Sequence, residues 1–304
     1  MAFRNIVLES DAHLTLKQDQ LIIRTERGTA SVAIEDVNAL LIESRQTVIS
    51  TAVLSRLAQF GVAVFICDER HLPCSILIPY SQHSRQLQAI ENQLNLTLSA
   101  KKRLWQQIVT EKVNNQGRCL LIQGKKAYAE RLFVLAKAVR TGDEKHIESY
   151  AAAQYFTSLF GSEFTRSDAC DMRNAALNYG YAIIRGCVAR TLTTYGFITA
   201  IGLNHHSELN PFNLADDFIE PFRPVVDLLV AEIVGCESEH EILSKSMKRS
   251  IINLLNCDMH VEGRRYSVTY AIELCVQSFV AACAGRTKIL KLPELIPLAQ
   301  HKYE

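Results

Sequence analysis

Residues 72–98, "LPCSILIPYSQHSRQLQAIENQLNLTL", divide the chain into two parts of different character. Before this stretch, short β-rich runs such as "HLTLKQDQLIIRT" alternate with turn-forming segments, which is the pattern of hairpins and a meander. After it, apolar residues recur every three or four positions, as in "AYAERLFVLAKAV", a spacing typical of amphipathic helices. The sequence therefore predicts an α+β fold, with a small β domain over residues 1–80 and a large α-helical domain over residues 81–304.

The spacing of apolar residues also predicts individual elements. The run "TAVLSRLAQFG" predicts one short helix that stops at Gly61, and "VAVFICD" after it predicts a buried strand. Later in the chain we expect helices over residues 147–160, 171–195, 215–234, 240–256 and 267–284. The sequence contains no Gly-rich phosphate loop and no G-x-S-x-G motif, which argues against nucleotide-hydrolysing and serine-hydrolase chemistry.

Composition indicates an ordinary globular protein. The chain has 304 residues, 48% of them hydrophobic, which is enough for a substantial core. No stretch reaches about 18 uninterrupted apolar residues. Acidic residues come early in the N-terminal "MAFRNIVLESDAH", so we expect a cytoplasmic protein with no membrane segment. The nine cysteines are scattered without a C-x-x-C pair, which favours buried, reduced thiols over a disulfide or zinc framework.

Charge is divided unevenly along the middle of the chain, although the net charge is only +1. Residues 101–145 hold 11 Lys and Arg against 4 Asp and Glu, whereas residues 201–245 hold 9 acidic residues against 2 basic ones. This division suits a protein that binds a polyanion with the first segment and cations with the second. The alternative is that both segments are solvated faces of helices.

The acidic segment begins with residues 202–224, "GLNHHSELNPFNLADDFIEPFRP". An Asn-Pro turn in it precedes Asn213, which can cap a helix. On that helix Asp217 and Glu220 are three residues apart and share a face, so their carboxylates repel unless a positive charge lies between them. Pro221 follows Glu220 and should kink the helix at that point.

Two interpretations of these acidic residues are open. A divalent cation would make their crowding favourable, and His205 could supply a further ligand. Alternatively, Asp216 and Asp217 form the negative first turn of a helix, and His205 or His206 fills a polar gap in the core. Glu148, in "HIESYAAAQYF", could add a carboxylate, because the small residues after it let another backbone pack closely. Its alternative is again a favourable charge at a helix N-terminus.

Several motifs in the same order resemble those of the CRISPR-associated adaptation integrase, the universal first-numbered Cas protein. The motifs are "VAIEDVNALLIESRQTVISTAVLSRLAQFGVAVFICDERHLP", "ESYAAAQYF", "DMRNAALNYGYAIIRGCVARTLTTYGF" and "GLNHHSELNPFNLADDFIEPFRP". The resemblance covers nearly the whole chain, and the wording "NPFNLADD" is similar to the type II branch. It implies a β-rich dimerisation domain followed by a helical catalytic domain.

The resemblance also implies a reaction and a metal site. Glu148, His205 and Glu220 would be catalytic ligands of Mg²⁺ or Mn²⁺, with Asp217 as a nearby acidic partner. His205 is preferred to His206 because it stands three residues after a glycine, where the family's histidine follows its own glycine. The implied chemistry is attack of a DNA 3′-hydroxyl on a phosphodiester of the repeat, with cleavage of branched DNA as a related activity.

DNA-binding residues are expected in two places. Arg223 is placed to contact the phosphate beside the acidic helix, and Arg173 and Asn174 are candidates to orient the DNA. The basic segment would hold duplex phosphates, beginning with Lys101, Lys102 and Arg103.

The implied partners are double-stranded DNA, a second copy of the chain in a homodimer, and a small ferredoxin-like adaptation protein in a heterohexamer. The type II effector nuclease and an accessory adaptation protein are further expected partners. Two other functions fit the residues as well. One is a non-catalytic DNA-binding assembly subunit, and the other is a metal-dependent phosphoesterase acting on a different substrate.

Overall fold

The computed structural model describes residues 3–79, 85–168, 170–234 and 243–303. The chain forms two compact units, the first made of Met1–Ser84 with Lys302–Glu304 and the second of Arg85–His301. The expected boundary between residues 80 and 81 lies outside the described residues and stays a prediction. The fold is α+β, as the sequence predicts, with the strands concentrated in the first unit and the helices in the second.

The first unit contains eight strands and one α-helix among its described residues. They are β1 (Arg4–Leu8), β2 (His13–Lys17), β3 (Gln20–Thr25), β4 (Gly28–Ala33), β5 (Val37–Ile42), β6 (Val48–Ile49), α1 (Thr51–Gln59), β7 (Ala63–Cys67) and β8 (Pro73–Leu77).

These strands form two four-stranded sheets, ordered β1-β5-β7-β8 and β4-β3-β2-β6. In the second sheet, β2, β3 and β4 pair as an antiparallel meander, which confirms the hairpin pattern seen in the sequence. In the first sheet, β1, β5 and β7 are parallel, an arrangement that the sequence analysis did not predict. Parallel pairing joins strands that are far apart in the chain and leaves no turn signature between them.

The predicted helix and buried strand of this unit are both confirmed. Helix α1 is capped at its start by the Ser50 hydroxyl, which accepts a hydrogen bond from the Val53 N–H at 3.4 Å. It is followed by Gly61 at φ 66°, a left-handed conformation that favours glycine. The central strands β5 and β7 carry the continuous apolar runs, and β5 is buried along its whole length. The strands of a parallel sheet are typically apolar along their length, because both faces of the sheet are covered.

The second unit is mainly helical. Its elements are α2 (Gln86–Leu94), α3 (Leu98–Ile122), α4 (Lys126–Ala138), α5 (Ile147–Phe160), α6 (Met172–Thr194), α7 (Asn213–Ile219), α8 (Arg223–Val234), α9 (Lys245–Asn253), β9 (Asp258–Val261), β10 (Arg264–Ser267) and α10 (Val268–Cys283).

Most of the predicted helices are confirmed to within a residue or two. The helix expected over residues 215–234 is interrupted by the 3₁₀ turn Glu220–Phe222, at the proline that was expected to kink it. The helix expected over 240–256 begins at residue 245 in the described chain, and its first residues, 240–242, lie outside the described residues. The antiparallel hairpin of β9 and β10 was not predicted, although Gly263 at its turn is a hairpin signal.

Helix α3 lies at the centre of the second unit and packs against α4, α5, α8 and the 3₁₀ turn. Its buried side includes three polar residues, Lys112, Asn115 and Gln116. Polar side chains are rarely buried unless they are paired or hydrogen-bonded. The buried side of α3 therefore has a polar part as well as an apolar part. The polar part positions the site described below.

The eight described cysteines are free thiols, as the sequence predicts, but Cys74 and Cys170 are exposed rather than buried; Cys236 lies outside the described residues. Burial raises the pKa of the Cys187 thiol to about 11, which keeps this thiol protonated and inert at neutral pH. Within the part of the chain that the structure describes, no helix combines the length and apolar character needed to cross a membrane.

A glycine sets the approach of α6 to α8, and its replacement should destabilise the second unit. A Cβ at Gly180 would overlap the Val226 side chain and lie 3.3 Å from Ile251 Cγ2. We expect Gly180→Ala to lower the free energy of unfolding by about 1–3 kcal/mol, the usual cost of overpacking a core. Urea denaturation measures this, with the exposed Glu130→Ala as a control expected within about 0.5 kcal/mol of wild type. Equal stability of Gly180→Ala and wild type would show that the two helices separate without cost.

Candidate functional site

A buried ion-pair cluster joins three elements of the helical unit. The Lys112 ammonium, on α3, lies 2.6 Å from Oε1 of Glu148, in the first turn of α5. The same ammonium forms an ion pair with Oε2 of Glu220, in the 3₁₀ turn between α7 and α8. Arg223 completes the cluster, because its Nε donates to Oε1 of Glu220 at 2.8 Å. The structure thus brings Glu148 and Glu220 together, although 72 positions separate them in the sequence.

Local hydrogen bonds position the two backbone segments that carry Glu148 and Glu220. The Asp143 carboxylate accepts from the N–H groups of Ile147 and Glu148 at 2.9 and 3.0 Å, which caps the N-terminus of α5. At the other carboxylate, Asn115 donates from its side-chain amide to the carbonyl of Pro221 at 2.8 Å. Pro221 breaks the helix immediately after Glu220, and the Asn115 bond holds the resulting turn against α3.

The ionisation of the cluster follows from burial and charge acting in opposite directions. Burial raises the pKa of Glu220, but Arg223 and Lys112 outweigh it and lower that pKa to about 2. Burial lowers the pKa of Lys112, but Glu220 and Glu148 outweigh it and raise that pKa above its ordinary value. Both partners are therefore charged at neutral pH, in a place where an unpaired charge would be very unfavourable.

His205 is held by Asp217, one turn before Glu220. Asp217 is fully buried and accepts from the N–H groups of Leu203, Asn204 and His205 at 2.5, 3.2 and 3.1 Å. Its Oδ1 also lies 2.8 Å from Nδ1 of His205. This hydrogen bond raises the pKa of His205 and leaves the other ring nitrogen, Nε2, as the one available to a ligand.

The loop that carries His205 depends on a glycine. A Cβ at Gly202 would overlap the carbonyl oxygen of His205 and lie 2.8 Å from Oδ2 of Asp217. No other residue would let the backbone pass so close to the carboxylate. The edge of the Trp105 ring packs against the imidazole, with the ring centroids 5.7 Å apart. The imidazole is therefore fixed from two sides.

Three of the four acidic and histidine residues singled out from the sequence fit a divalent metal. Oε2 of Glu220 is buried and forms an ion pair with the Lys112 ammonium. Two carboxylates and one imidazole are a donor set suited to Mg²⁺ or Mn²⁺. Asp217 differs, because its oxygens are occupied by backbone N–H groups and by His205. Within the described residues, no group of three acidic, histidine or cysteine side chains is arranged to hold a metal ion.

A small cavity of about 220 Å³ opens beside the ion-pair cluster. On one side the buried Asp227 carboxylate accepts from the hydroxyls of Tyr155, at 3.0 Å, and Tyr181. The guanidinium of Arg223 lies over the Tyr181 ring, 4.5 Å from its centroid. Arg166 also lies over this ring and lines the cavity. The cavity therefore combines cationic groups with an aromatic face.

Sequence reasoning missed Lys112 and Asp227 as parts of this site. Lys112 was assigned to the basic segment, yet it follows the buried positions Ile108 and Val109 at helical spacing, which could have placed it on the buried face of α3. Asp227 stands in the apolar run "VVDLLV", where a single acid among core residues indicates a buried, hydrogen-bonded carboxylate.

The structure gives Asn174 and Arg173 roles other than the expected contacts with DNA. Asn174 is buried, and its amide donates to the carbonyls of Thr165 and Asp168 at 2.7 and 2.8 Å. The guanidinium of Arg173 pairs with Asp171 at 2.6 Å and lies over the Phe164 ring. The polar groups of both residues organise the start of α6, and their expected contact with DNA stays a prediction.

Residues 101–103 and His206 lie nearer to solvent. Lys101 lines a cavity of about 620 Å³ together with His205 and His206, and therefore lies near one of the candidate ligands. Lys102 pairs with Glu144 at 3.1 Å. The exposed imidazole of His206 contacts only the nearby carbonyl of Asn204 among the contacts that the structure describes, at 2.7 Å from Nδ1. Of the two histidines, His205 is the one that the fold holds in place.

Comparison with known proteins places the chain in one family. The family model described as CRISPR associated protein Cas1 matches residues 6–241. A CRISPR-associated endonuclease Cas1 of Neisseria meningitidis serogroup C (strain 8013) is 43% identical over the full length of both chains. The chain belongs to the Cas1 family.

Solved structures of low sequence identity share the fold. A casposase bound to an integration product superposes with a TM-score of 0.78 at 18% identity, covering 95% of this chain and 92% of the casposase. A Cas6-RT-Cas1–Cas2 complex matches with a TM-score of 0.70 at 18% identity, covering 96% of this chain and 36% of the longer one. At these identities the likeness concerns the fold alone.

The buried Asp227 carboxyl should make the free energy of unfolding depend on pH, and Asp227→Asn should remove this dependence. Burial raises its pKa to about 6, so the folded state binds its proton more tightly than the unfolded state, and this contribution is lost as pH rises from about 4 through 6. Asp227→Asn resembles the protonated form. Relative to this variant, wild type should therefore lose about 2–3 kcal/mol of unfolding free energy between about pH 4 and 7.

Urea denaturation at several pH values measures this difference, and the exposed Glu130→Gln provides the control for general charge effects. The groups facing Asp227, which are Tyr155, Tyr181, Arg166 and Arg223, stay unchanged in both variants. A difference between wild type and Asp227→Asn that is constant with pH would contradict the assigned titration.

Proposed function

We propose that this protein is a divalent-metal-dependent DNA integrase and endonuclease of CRISPR spacer acquisition. The observation that carries the proposal is the pair of carboxylates, Glu148 and Glu220, which meet at one ammonium inside the helical unit. An acidic site built around a cation is the arrangement that phosphodiester transesterification by a bound metal requires. Membership of the Cas1 family supports DNA as the substrate.

Each residue of the site has a distinct task in this reaction. Glu148, Glu220 and Nε2 of His205 would hold Mg²⁺ or Mn²⁺. The ion would lower the pKa of the attacking 3′-hydroxyl and neutralise charge on the phosphate. Asp217 keeps the imidazole oriented through Nδ1. Arg223 is fixed between Glu220 and the Tyr181 ring, where its remaining N–H donors can bind a phosphate oxygen.

The exchange of one phosphodiester for another needs no external energy source. The 3′-hydroxyl loses its proton as its oxygen forms a bond to the target phosphorus, and the bond from that phosphorus to its original 3′ oxygen breaks. The released oxygen takes up a proton and becomes a new 3′-hydroxyl. Water in place of the hydroxyl would turn the same site into an endonuclease. Cleavage of branched DNA is therefore the activity related to strand transfer.

Partners follow from the family and from the named relatives. We infer a homodimer formed through the β-rich unit, and a heterohexamer with a small ferredoxin-like partner, which the Cas2 in the complex named above supports. The wording "NPFNLADD" supports a type II-like branch, in which the effector nuclease and an accessory adaptation protein would also take part.

One measurement for each of two alternative functions distinguishes it from the proposed one. A non-catalytic DNA-binding subunit would bind DNA but show no joining in Mg²⁺ or Mn²⁺. A metal-dependent phosphoesterase on a small substrate would not need the basic residues of α3 and would hydrolyse without DNA. The test mixes the protein, its small partner, a short duplex with free 3′ ends and a supercoiled plasmid that carries the repeat.

Substitution of the candidate ligands should abolish joining without unfolding the protein. We expect Glu148→Gln, Glu220→Gln and His205→Ala each to lower the joining rate by about 100-fold or more, since metal-assisted charge stabilisation is worth several kcal/mol. Joining in Mn²⁺ is measured on gels and folding by circular dichroism.

The matched control for the histidine is His206→Ala, because the neighbouring ring is exposed and not held by Asp217. Its joining rate should stay within about threefold of wild type, a change of less than 1 kcal/mol. Near-normal joining by His205→Ala together with a dead His206→Ala would show that the wrong imidazole has been assigned.

The surface end of α3 should control DNA affinity and its dependence on salt. Lys102→Ala with Arg103→Ala removes two positive charges, so binding should weaken and the log–log salt slope should fall by about 0.9 for each lost phosphate contact. Glu144→Gln should act in the opposite direction, because Glu144 pairs with Lys102 at 3.1 Å and its loss frees that ammonium. Fluorescence anisotropy against salt measures both variants. Unchanged affinity and slope in the double variant would leave this surface as a solvated helix face.

A further inference from the structure

The candidate metal site is electrically balanced before any metal binds. Two carboxylates, Glu148 and Glu220, face two cations: Lys112 pairs with both carboxylates, and Arg223 pairs with Glu220. A divalent ion gains little electrostatic energy from such a neutral group, because the fixed cations repel it as strongly as the carboxylates attract it. One of the two cations must therefore leave the carboxylates when a metal enters.

Lys112 is the cation that can move. Arg223 is anchored by its Nε bond to Glu220 and by the Tyr181 ring beneath its guanidinium. A lysine ammonium is a compact group on a flexible four-carbon chain, whereas a stacked guanidinium is held in one plane. The Lys112 ammonium also contacts both of the carboxylates that would hold the metal.

A second place for the ammonium lies one turn further along the same helix. Gln116 is 2% exposed, and its Oε1 is buried without a hydrogen-bond partner among the described residues. Lys112 and Gln116 line the same cavity of about 220 Å³ beside the cluster. Residues four apart on a helix are neighbours on its surface, so the lysine chain can reach this oxygen by rotating its side chain. A buried acceptor left without a donor costs about 1–3 kcal/mol, which a charged donor would recover.

We propose that Lys112 is a movable counter-ion that lies between Glu148 and Glu220 in the metal-free protein and turns to Oε1 of Gln116 when a divalent metal binds. The inference rests on the proposed metal site. In the metal-free state the ammonium keeps the two acidic residues together, so the ligands are already assembled. In the metal-bound state the positive charge stays beside the site, in a cavity that Arg166 and Arg223 also line.

Two substitutions on α3 test this with effects of opposite sign on metal affinity. Lys112→Met removes the competing charge at similar volume, so the Kd for Mn²⁺ should fall by about tenfold. Gln116→Leu removes the second acceptor, so the Kd for Mn²⁺ should rise by about fivefold. Isothermal titration with Mn²⁺ alone, without DNA, measures both. The control is Lys126→Met, an exposed lysine that should leave the Kd unchanged.

Stability in EDTA separates this role from a purely structural one. Lys112→Met should be less stable than wild type without metal and should regain the loss in Mn²⁺, because the metal then neutralises the two carboxylates. Gln116→Leu should be at least as stable as wild type in EDTA, since it removes a buried acceptor that has no donor among the described residues. A structural defect would lower stability in both conditions and would not tighten metal binding.

The outcomes distinguish the inference from the proposed function. If wild type binds no Mn²⁺, both the metal site and the movable counter-ion are wrong. If wild type binds Mn²⁺ and neither α3 variant shifts the Kd in its expected direction, only the counter-ion is wrong. Should Lys112→Met fail to fold, Gln116→Leu still decides, because an unchanged or lower Kd in that variant overturns the second position of the ammonium.

Discussion

The ion pairs of Lys112 hold together the elements that form the site. Burying the Glu220 carboxylate would cost several kcal/mol without a partner, and Lys112 and Arg223 together offset that cost. Because Lys112 also binds Glu148, the same ammonium fixes α5 and the 3₁₀ turn at one point on α3. Sites of this kind are costly to break from either side, since removing one partner leaves the other charged and buried.

The neighbouring residue Asn115 extends this arrangement to the end of the chain. Its amide donates to the carbonyls of Pro221 and Pro293, and its oxygen accepts from the N–H of Leu295, all at 2.8–2.9 Å. The C-terminal segment and the turn that carries Glu220 are thus tied to the same side chain of α3. Lys112, Asn115 and Gln116 form one polar face inside an otherwise apolar helix packing. This face explains how a buried polar site persists in a helical core, because nearly all of its donors and acceptors are paired.

The sequence predicts the helices well because each one repeats its own apolar pattern. It also places Glu148 in the first turn of α5 and Glu220 at a break before Pro221, since caps and prolines act locally. The pairing of Glu148 with Glu220 depends on the packing of α3 between them, which no local pattern records. The parallel strands β1, β5 and β7 were missed for the same reason. Lys112 was counted as a surface charge, because the charge of a segment does not tell which of its residues are buried.

Asp217 and Glu220 show how two equivalent acids in a sequence acquire different chemistry. At three residues apart they share a face of an ideal helix, and the sequence offers both as ligands. The glycine at 202 brings a loop backbone against Asp217, whose oxygens are then filled by N–H groups and by His205. Pro221 ends the α-helical geometry just after Glu220, so this carboxylate turns towards side-chain cations instead. Backbone partners cannot be displaced without unfolding the loop, whereas a lysine can move aside. Asp217 is therefore suited to orient a ligand, and Glu220 is suited to be one.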